Sequence, residues 1–145
     1  MRIFAVIRLR GTVKARKEAE ATLSFLRLSR KMHCVVIPDT PSYAGMIRAA
    51  KDYITWGEIS DEMLHKLIEK RGRKIGNKRL TTDGEVKAAV KILHDGKNLK
   101  DTEIKPVFRL IPAKGGFKFS IKDNYPRGEI GYRGDKINEL LERMI

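Results

Sequence analysis

The sequence predicts an α+β fold. Within the first sixty of its 145 residues, segments with the two-residue period of strands alternate with segments of helical period, in the order βαβαβ. This order predicts a small sheet with both helices packed on one face. Helical and strand-like segments continue towards the C-terminus, so a second group of elements follows this core.

The first strand is predicted at 2–10, where Ile3, Ala5, Ile7 and Leu9 alternate with the residues between them. The other core elements are predicted from apolar stripes at helical spacing, from β-branched runs and from a proline that stops a strand. They are a helix at 14–28, a strand at 34–37, a helix at 41–51 and a strand at 53–59.

After residue 59 the sequence predicts two helices with recognisable ends. Ser60 is a suitable N-cap for a helix that ends at Gly72. Thr82 forms a capping box with Glu85 at the start of a helix that ends at Gly96. These helices have apolar stripes, so we expect both to pack against the rest of the protein.

The C-terminal third predicts a hairpin and a final helix. The strand-like segments 107–111 and 117–122 flank the loop PAKGG, which is typical of a hairpin. The glycine-punctuated segment 124–134 is predicted to be an irregular loop. Asp135 is a suitable cap for the last helix.

The charge of the chain indicates a polyanionic partner. It has 31 Lys and Arg against 18 Asp and Glu, a formal net charge of +13 at pH 7. Nucleic acid, an anionic membrane surface and an acidic protein are the candidates. A membrane is least favoured, because the sequence lacks the ~20 apolar residues that a span requires. It also lacks a secretory signal, so we expect a cytoplasmic protein.

The basic residues are concentrated in clusters, several of them in glycine-containing loops. The segment 66–79 shows the bias, since it holds only Glu69 among seven basic residues. We predict that the clusters bind phosphates, with an affinity that falls steeply as the salt concentration rises. The clusters are Arg8, Arg10, Lys14, Arg16 and Lys17; Arg27, Arg30 and Lys31; Arg71, Arg73, Lys74, Lys78 and Arg79; and Lys114 and Lys118.

The motif Asp39-Thr40-Pro41 has a structural and a catalytic interpretation. Thr40 is a natural N-cap and Pro41 suits the first helical position, which makes the motif a helix start. Alternatively, Asp39 would act as a general base beside a phosphate at the helix N-terminus. No Gly-rich phosphate loop, Walker lysine or second carboxylate lies at a supporting spacing, so we predict no catalytic residue.

The same helix start could still meet an RNA phosphate through its free N–H groups. Gly45 lies inside this helix, where glycine costs roughly 1 kcal/mol relative to alanine. Such a glycine usually permits the close approach of another backbone. The sheet and a nucleic-acid chain are the two candidates.

The sequence disfavours a disulfide and a metal site. Cys34 is the only cysteine, and its apolar neighbours predict a buried thiol. His33 is adjacent, but His65 and His94 lie far along the chain, whereas structural zinc normally has four Cys or His ligands. We predict neither a metal nor a cofactor.

The arrangement of the basic clusters favours folded RNA as the nucleic acid. The segment from Gly72 to Thr82 is much longer than the turn of roughly three or four residues in a helix-turn-helix. A four-stranded RNA-recognition sheet needs an aromatic-rich segment, and the strand at 2–10 has one aromatic residue. Clusters in loops and at helix ends suit contacts with the phosphates of shaped RNA rather than the reading of bases.

Several segments resemble a known family, the large-subunit ribosomal protein numbered thirty in bacteria and seven in eukaryotes. They are IRLRGT, LSFLRLSRKMHCVVIPDTPSYAGMIRAAKDYITWGEI, FRLIPAKGGFKFSIKDNYPRGEIGYRG and DKINELLERMI. The spacing DTP-x-x-x-GMI is quite specific. The bacterial form resembles residues 1–59 alone, and 60–145 resembles the extension of the archaeal and eukaryotic long form. No long basic segment precedes the first strand, which is similar to archaeal members.

This resemblance implies a core at 1–59 with a three-stranded antiparallel sheet and two helices on one face, similar to half of a ferredoxin-like fold. It implies a C-terminal helical and hairpin lobe at 60–145. It also implies a non-enzymatic constituent of the large ribosomal subunit that binds 23S rRNA near 5S rRNA, beside other ribosomal proteins, with no small-molecule substrate. A free-standing RNA- or DNA-binding or regulatory module of ferredoxin-like type is the alternative.

The resemblance also implies which residues contact RNA. The segment 71–79 is less characteristic of the family, so its role is predicted from charge alone. The contacts implied by the family motif are Arg8, Arg10, Lys14, Arg16, Arg27, Arg30, Lys31, Thr40, Ser42, Arg48, Lys114, Lys118, Arg127 and Arg133.

Overall fold

The computed structural model describes residues 3–11, 16–74, 83–95, 104–117 and 120–145. The strands are β1 (Ile3–Arg8), β2 (His33–Pro38), β3 (Ile54–Glu58), β4 (Val107–Arg109), β5 (Ser120–Asn124) and β6 (Gly128–Tyr132). The helices are α1 (Lys17–Phe25), α2 (Pro41–Ala50), α3 (Asp61–Arg71), α4 (Asp83–His94) and α5 (Ile137–Met144), and a 3₁₀ turn at Gly134–Lys136 precedes α5. The α+β class and the βαβαβ order of the first sixty residues are therefore confirmed.

Three antiparallel strands form the centre of the sheet, as predicted. β1 lies between β2 and β3, so that Val6 faces Val35 on one side and Trp56 on the other. The side chains of Val6 and Val35 are buried on one face of the sheet. Leu23 of α1 and Ile47 of α2 belong to the same buried cluster, so both helices cover this face.

The expected size of the sheet is wrong, because the described residues form a sheet of six strands in the order β4-β2-β1-β3-β6-β5. β4 pairs antiparallel with the outer edge of β2, and β6 pairs parallel with the outer edge of β3. β5 pairs with β6 and completes the sheet. Strand periodicity is a local signal, whereas long-range packing decides which segment covers an edge, so the sequence pattern did not supply these pairings.

The predicted hairpin is also wrong. Its first segment contains β4 at one edge of the sheet, and its second segment overlaps β5 at the opposite edge. The segment 124–134, predicted to be an irregular loop, contains β6. Gly131 has a φ of +100°, which L side chains rarely adopt, so this glycine permits the path of the strand rather than marking a loop.

Helices α3, α4 and α5 cover the other face of the sheet. Ile7 of β1 and Phe108 of β4 are buried in one cluster with Leu67 of α3, Ala89 of α4 and Leu141 of α5. Segments from before and after residue 59 therefore contribute strands to one sheet and side chains to its cores. The division of the chain at residue 59 stays a prediction.

Side-chain caps define the starts of two helices, as predicted. Thr40 accepts a hydrogen bond from the Tyr43 N–H at 3.3 Å, and Ser60 accepts one from the Met63 N–H at 3.2 Å. The capping box at Thr82 and the glycine predicted to end α4 lie outside the described residues. No helix in the described part of the chain combines the length and apolar character that crossing a bilayer requires.

Candidate nucleic-acid interface

The turn after α1 carries the first basic cluster. α1 ends at Phe25, before the predicted Leu28, because a Schellman motif closes it. The Leu28 N–H donates to the Leu23 carbonyl at 2.8 Å, and the Arg27 N–H donates to the Ser24 carbonyl at 3.0 Å. Both leucines are buried, so the turn is anchored in the core and its backbone is fixed.

Arg27 occupies the position of this motif where glycine is usual. Its φ is +65°, in the left-handed region that costs an L-residue roughly 1–2 kcal/mol. The side chains of Arg27, Arg30 and Lys31 are all exposed. The turn therefore presents three cations to solvent, one of them at a strained backbone position.

Arg8 lies beneath this turn, where its guanidinium has a structural role. Its guanidinium donates to the carbonyls of Leu28 at 2.7 Å and Arg10 at 2.9 Å. Burial lowers the pKa of Arg8, and the charge of Glu20 opposes this effect. With 3% of its surface exposed, Arg8 is not placed to reach a phosphate.

Arg10 lies at the margin of the same surface and is half-buried. Its guanidinium donates to the Asp52 carbonyl at 3.2 Å and lies 5.5 Å from the centre of the Tyr53 ring. Arg16 and Lys17, at the start of α1, are exposed. These cations extend the basic surface around the end of β1.

The start of α2 presents polar groups and one cation. Ser42 and Arg48 are exposed, and the Thr40 hydroxyl that caps the helix is half-buried. A Cβ built on Gly45 would meet no atom of the described residues within 4 Å, so the predicted close approach of the sheet is wrong. The approach of a nucleic-acid chain to this exposed glycine stays a prediction.

Arg133 is the second predicted contact that lies inside the protein. Its Nε donates to the Thr55 hydroxyl at 2.8 Å, and its Nη2 donates to the Glu129 carboxylate at 2.9 Å and to the Glu129 carbonyl. The guanidinium also lies 5.2 Å from the centre of the Tyr125 ring. Arg133 therefore fastens β6 to β3.

Three predicted cations of the extension come together near the C-terminal end of α3. Arg71, Arg73 and Lys114 line a groove of about 660 Å³, which Lys66 and Lys70 also line. Glu69 and Glu142 contribute carboxylates to the same groove, so its charge is mixed.

The remaining predicted residues are dispersed. Lys74 donates to Glu85 at 2.6 Å, so a carboxylate already partners this ammonium. Arg127 is exposed in the turn between β5 and β6. The predicted residues outside the described part of the chain are Lys14, Lys78, Arg79 and Lys118.

A smaller groove of about 190 Å³ lies beside β4 at the edge of the sheet. Its lining residues are Arg71, Arg73, Lys105, Val107 and Arg109. Sequence reasoning missed Lys105 and Arg109, because neither belongs to a run of basic residues. The available signal was the spacing of 105, 107 and 109, which places alternate side chains on one side of a strand.

His33 lies between the turn after α1 and this second groove. It is the Cα partner of Arg109 in the β2–β4 ladder, and its Nδ1 is buried without a hydrogen-bond partner in the described structure. Burial lowers the pKa of His33, and the charges of Arg109, Arg30 and Arg8 lower it further. Charges from both basic regions thus act on one imidazole.

The chemistry available at this surface is anion binding. Among the described residues, no group of three His, Cys, Asp or Glu side chains could hold a metal ion. Cys34 is buried, as predicted, and burial raises the pKa of its thiol to about 12. The thiol is therefore not a nucleophile at neutral pH.

Comparison with known proteins gives consistent matches along the chain. Residues 4–54 match the family described as Ribosomal protein L30p/L7e. A protein of Archaeoglobus fulgidus is 47% identical, over 98% of this chain and 99% of the relative. Proteins of Methanosphaera stadtmanae and Staphylothermus marinus are each 45% identical, over 99% of this chain and 100% and 98% of the relatives. All three relatives are named large ribosomal subunit protein uL30.

Proposed function

Since the chain belongs to the ribosomal protein L30p/L7e family, we propose that it is a structural constituent of the large ribosomal subunit that binds folded rRNA mainly through phosphates. The resemblance to the archaeal long form is confirmed, because archaeal relatives align over nearly their whole length and include the extension. The family is structural, so the protein is not an enzyme and acts in the cytoplasm as part of the large subunit.

Its partners are rRNA and other large-subunit proteins. Within that set, we propose 23S rRNA as the RNA bound, at a position near 5S rRNA. The net charge of +13 supports a polyanionic partner of this kind.

The observation that best supports RNA binding by this surface is the left-handed backbone conformation of Arg27. Glycine is the usual residue there and would relieve the strain. A phosphate bound by the exposed guanidinium supplies a reason for arginine at this position. Arg30 and Lys31 are exposed on the same turn and suit the same RNA segment.

The proposed contact set follows the exposure of the side chains. Thr40 stays in the set because its hydroxyl can donate while its oxygen caps α2. The ion pair of Lys74 with Glu85 makes this lysine a weaker candidate. Four further residues are proposed from sequence alone: Lys14, Lys78, Arg79 and Lys118. The proposed contacts among the described residues are Arg10, Arg16, Lys17, Arg27, Arg30, Lys31, Thr40, Ser42, Arg48, Arg71, Arg73, Lys114 and Arg127.

Sedimentation of a lysate on a sucrose gradient tests this function. At low salt the protein should sediment with the large subunit, and high salt should release it because phosphate contacts are screened. A protein that stays at the top of the low-salt gradient would contradict the ribosomal role. RNA binding by that free protein would instead support the free-standing module.

A further inference from the structure

We propose that the groove beside β4, lined by Arg71, Arg73, Lys105 and Arg109, binds one phosphate of an RNA backbone. This inference rests on the proposed function and goes further, because it assigns a site and adds Lys105 and Arg109, neither of which is among the predicted RNA contacts. The ligand chemistry is a phosphate diester. A free phosphate ion has related chemistry, and the experiment below separates the two sources.

The groove is held in place by backbone pairing. The Lys105 N–H donates to the Arg73 carbonyl at 2.7 Å, and Lys74 forms a β-bridge with Ile104. On its other side, β4 pairs with β2 in the central sheet, where Phe108 faces Cys34. The cations therefore come from two segments whose separation is fixed by main-chain hydrogen bonds, which suits a site of defined size.

The described residues that line the groove carry charge of one sign. Four of its lining residues are cations, and among the described residues no carboxylate lines it. The neighbouring large groove differs, since Glu69 and Glu142 balance part of its charge. An anion bound in the groove would interact favourably with these cations.

The side chains fit a phosphate in number and kind. Arginine offers a planar fork of donors that matches phosphate oxygens, and lysine adds a compact charge. Arg71, Arg73 and Lys105 are half-buried and Arg109 is exposed. The groove is therefore open at the sheet edge, where an RNA backbone can pass while one of its phosphates enters.

The position of the groove favours RNA as the source of the phosphate. Arg109 is the Cα partner of His33, and the His33 N–H donates to the Arg30 carbonyl at 3.4 Å, so the groove lies beside the turn after α1. A nucleic-acid backbone carries phosphates at regular intervals and can contact both regions. A single phosphate ion would contact only one of these two basic regions.

The double variant Lys105→Gln/Arg109→Gln tests the site, and Lys87→Gln is the matched control because Lys87 is exposed on α4 outside both grooves. Binding of the full chain to transcripts of archaeal large-subunit rRNA is measured from 50 to 300 mM KCl. We expect the double variant to lose about 0.7–0.9 units of the slope of log K against log [KCl], the value of one phosphate. Thermal unfolding identifies variants that fail to fold.

A second measurement separates the sources of phosphate. Inorganic phosphate is titrated into the wild-type protein while the His33 imidazole is followed by NMR. Tight rRNA binding with weak phosphate binding supports an RNA site. Tight binding of inorganic phosphate, with an rRNA slope unchanged in the double variant, would overturn it.

The salt slopes also distinguish the site from the function. If the double variant lost twice the salt slope expected for one phosphate, the proposal of a single-phosphate site would be overturned. An unchanged slope in a folded double variant would also overturn it, while leaving the ribosomal function intact. Failure of the wild-type protein to sediment with the large subunit would contradict the function itself.

Discussion

The guanidinium of Arg8 donates a hydrogen bond to the backbone carbonyl of Leu28 at 2.7 Å, inside the protein. This bond joins the end of β1 to the turn that carries Arg27 and Arg30. Positive charge therefore has two roles in this molecule. A buried arginine holds the turn, and exposed arginines on the turn are available to a partner.

Replacing Arg8 with methionine should destabilise the protein without removing an RNA contact. The Leu28 carbonyl loses a charged donor, and such hydrogen bonds contribute about 1.5–3 kcal/mol. Urea unfolding should show a loss of that size, and Arg8→Lys should recover only part of it because lysine lacks the fork. The slope of rRNA affinity against salt should stay at the wild-type value. A flatter slope in the folded variant would restore Arg8 as a direct contact.

Replacing Arg27 with glycine should have opposite effects on stability and on binding. Glycine removes left-handed strain of roughly 1–2 kcal/mol but costs roughly 0.5–1 kcal/mol in backbone entropy, so the free energy of unfolding should rise by about 0–1.5 kcal/mol. The salt slope for rRNA should lose about 0.7–0.9 units, as for one phosphate. Arg27→Lys is the control, because it keeps both the strain and the charge. If the Arg27→Gly variant bound rRNA with an unchanged salt slope, this result would contradict the proposed role of Arg27.

The titration of His33 should make the folded protein less stable in mild acid. Its pKa is lowered in the folded state by burial and by Arg109, Arg30 and Arg8, so the unfolded chain takes up the proton first. The free energy of unfolding should therefore fall as the pH drops from about 6.5 towards the folded pKa, and should keep its full value above that range.

The comparison that isolates His33 is its replacement with glutamine. Urea unfolding of both proteins between pH 5 and pH 8 gives the difference, from which the other histidines largely cancel. We expect the wild-type protein to lose more stability than His33→Gln on acidification. Parallel curves for the two proteins would show that His33 titrates normally in the folded state.

The thiol of Cys34 should be unreactive in the native protein. It is fully buried, and burial raises its pKa to about 12, so very little thiolate exists at pH 8. Iodoacetamide should label Cys34 rapidly in urea and slower by orders of magnitude without it, as followed by mass spectrometry. Rapid labelling of the folded protein would mean that β2 opens readily.

The first sixty residues were predictable because their signals are local. The alternation along β1 and the Thr40 cap of α2 depend only on neighbouring residues, and the structure contains both. β6 was not predicted, because its pairing leaves no local signal in the sequence. Gly128 and Gly131 resemble loop residues along the sequence, whereas pairing with β3 depends on a segment some seventy residues away.

The candidate site was only partly predictable, because residue type does not determine burial. Arg8 and Arg133 look like phosphate ligands in the sequence, yet both donate to groups inside the protein. Lys105 and Arg109 look unremarkable in sequence, yet the pairing of β4 with β2 brings them beside Arg71. Composition indicated the class of partner, and only the fold separates structural cations from exposed ones.

The short edge strand β4 also matters before the protein meets RNA. An edge strand exposes unpaired N–H and C=O groups that can recruit a strand from another chain and begin aggregation. β4 has only three residues, the last of them Arg109, and Lys105 precedes it closely, and short length and charged side chains both discourage such recruitment. The two cations that we assign to RNA therefore also suit the protection of this edge in a newly synthesised copy awaiting assembly.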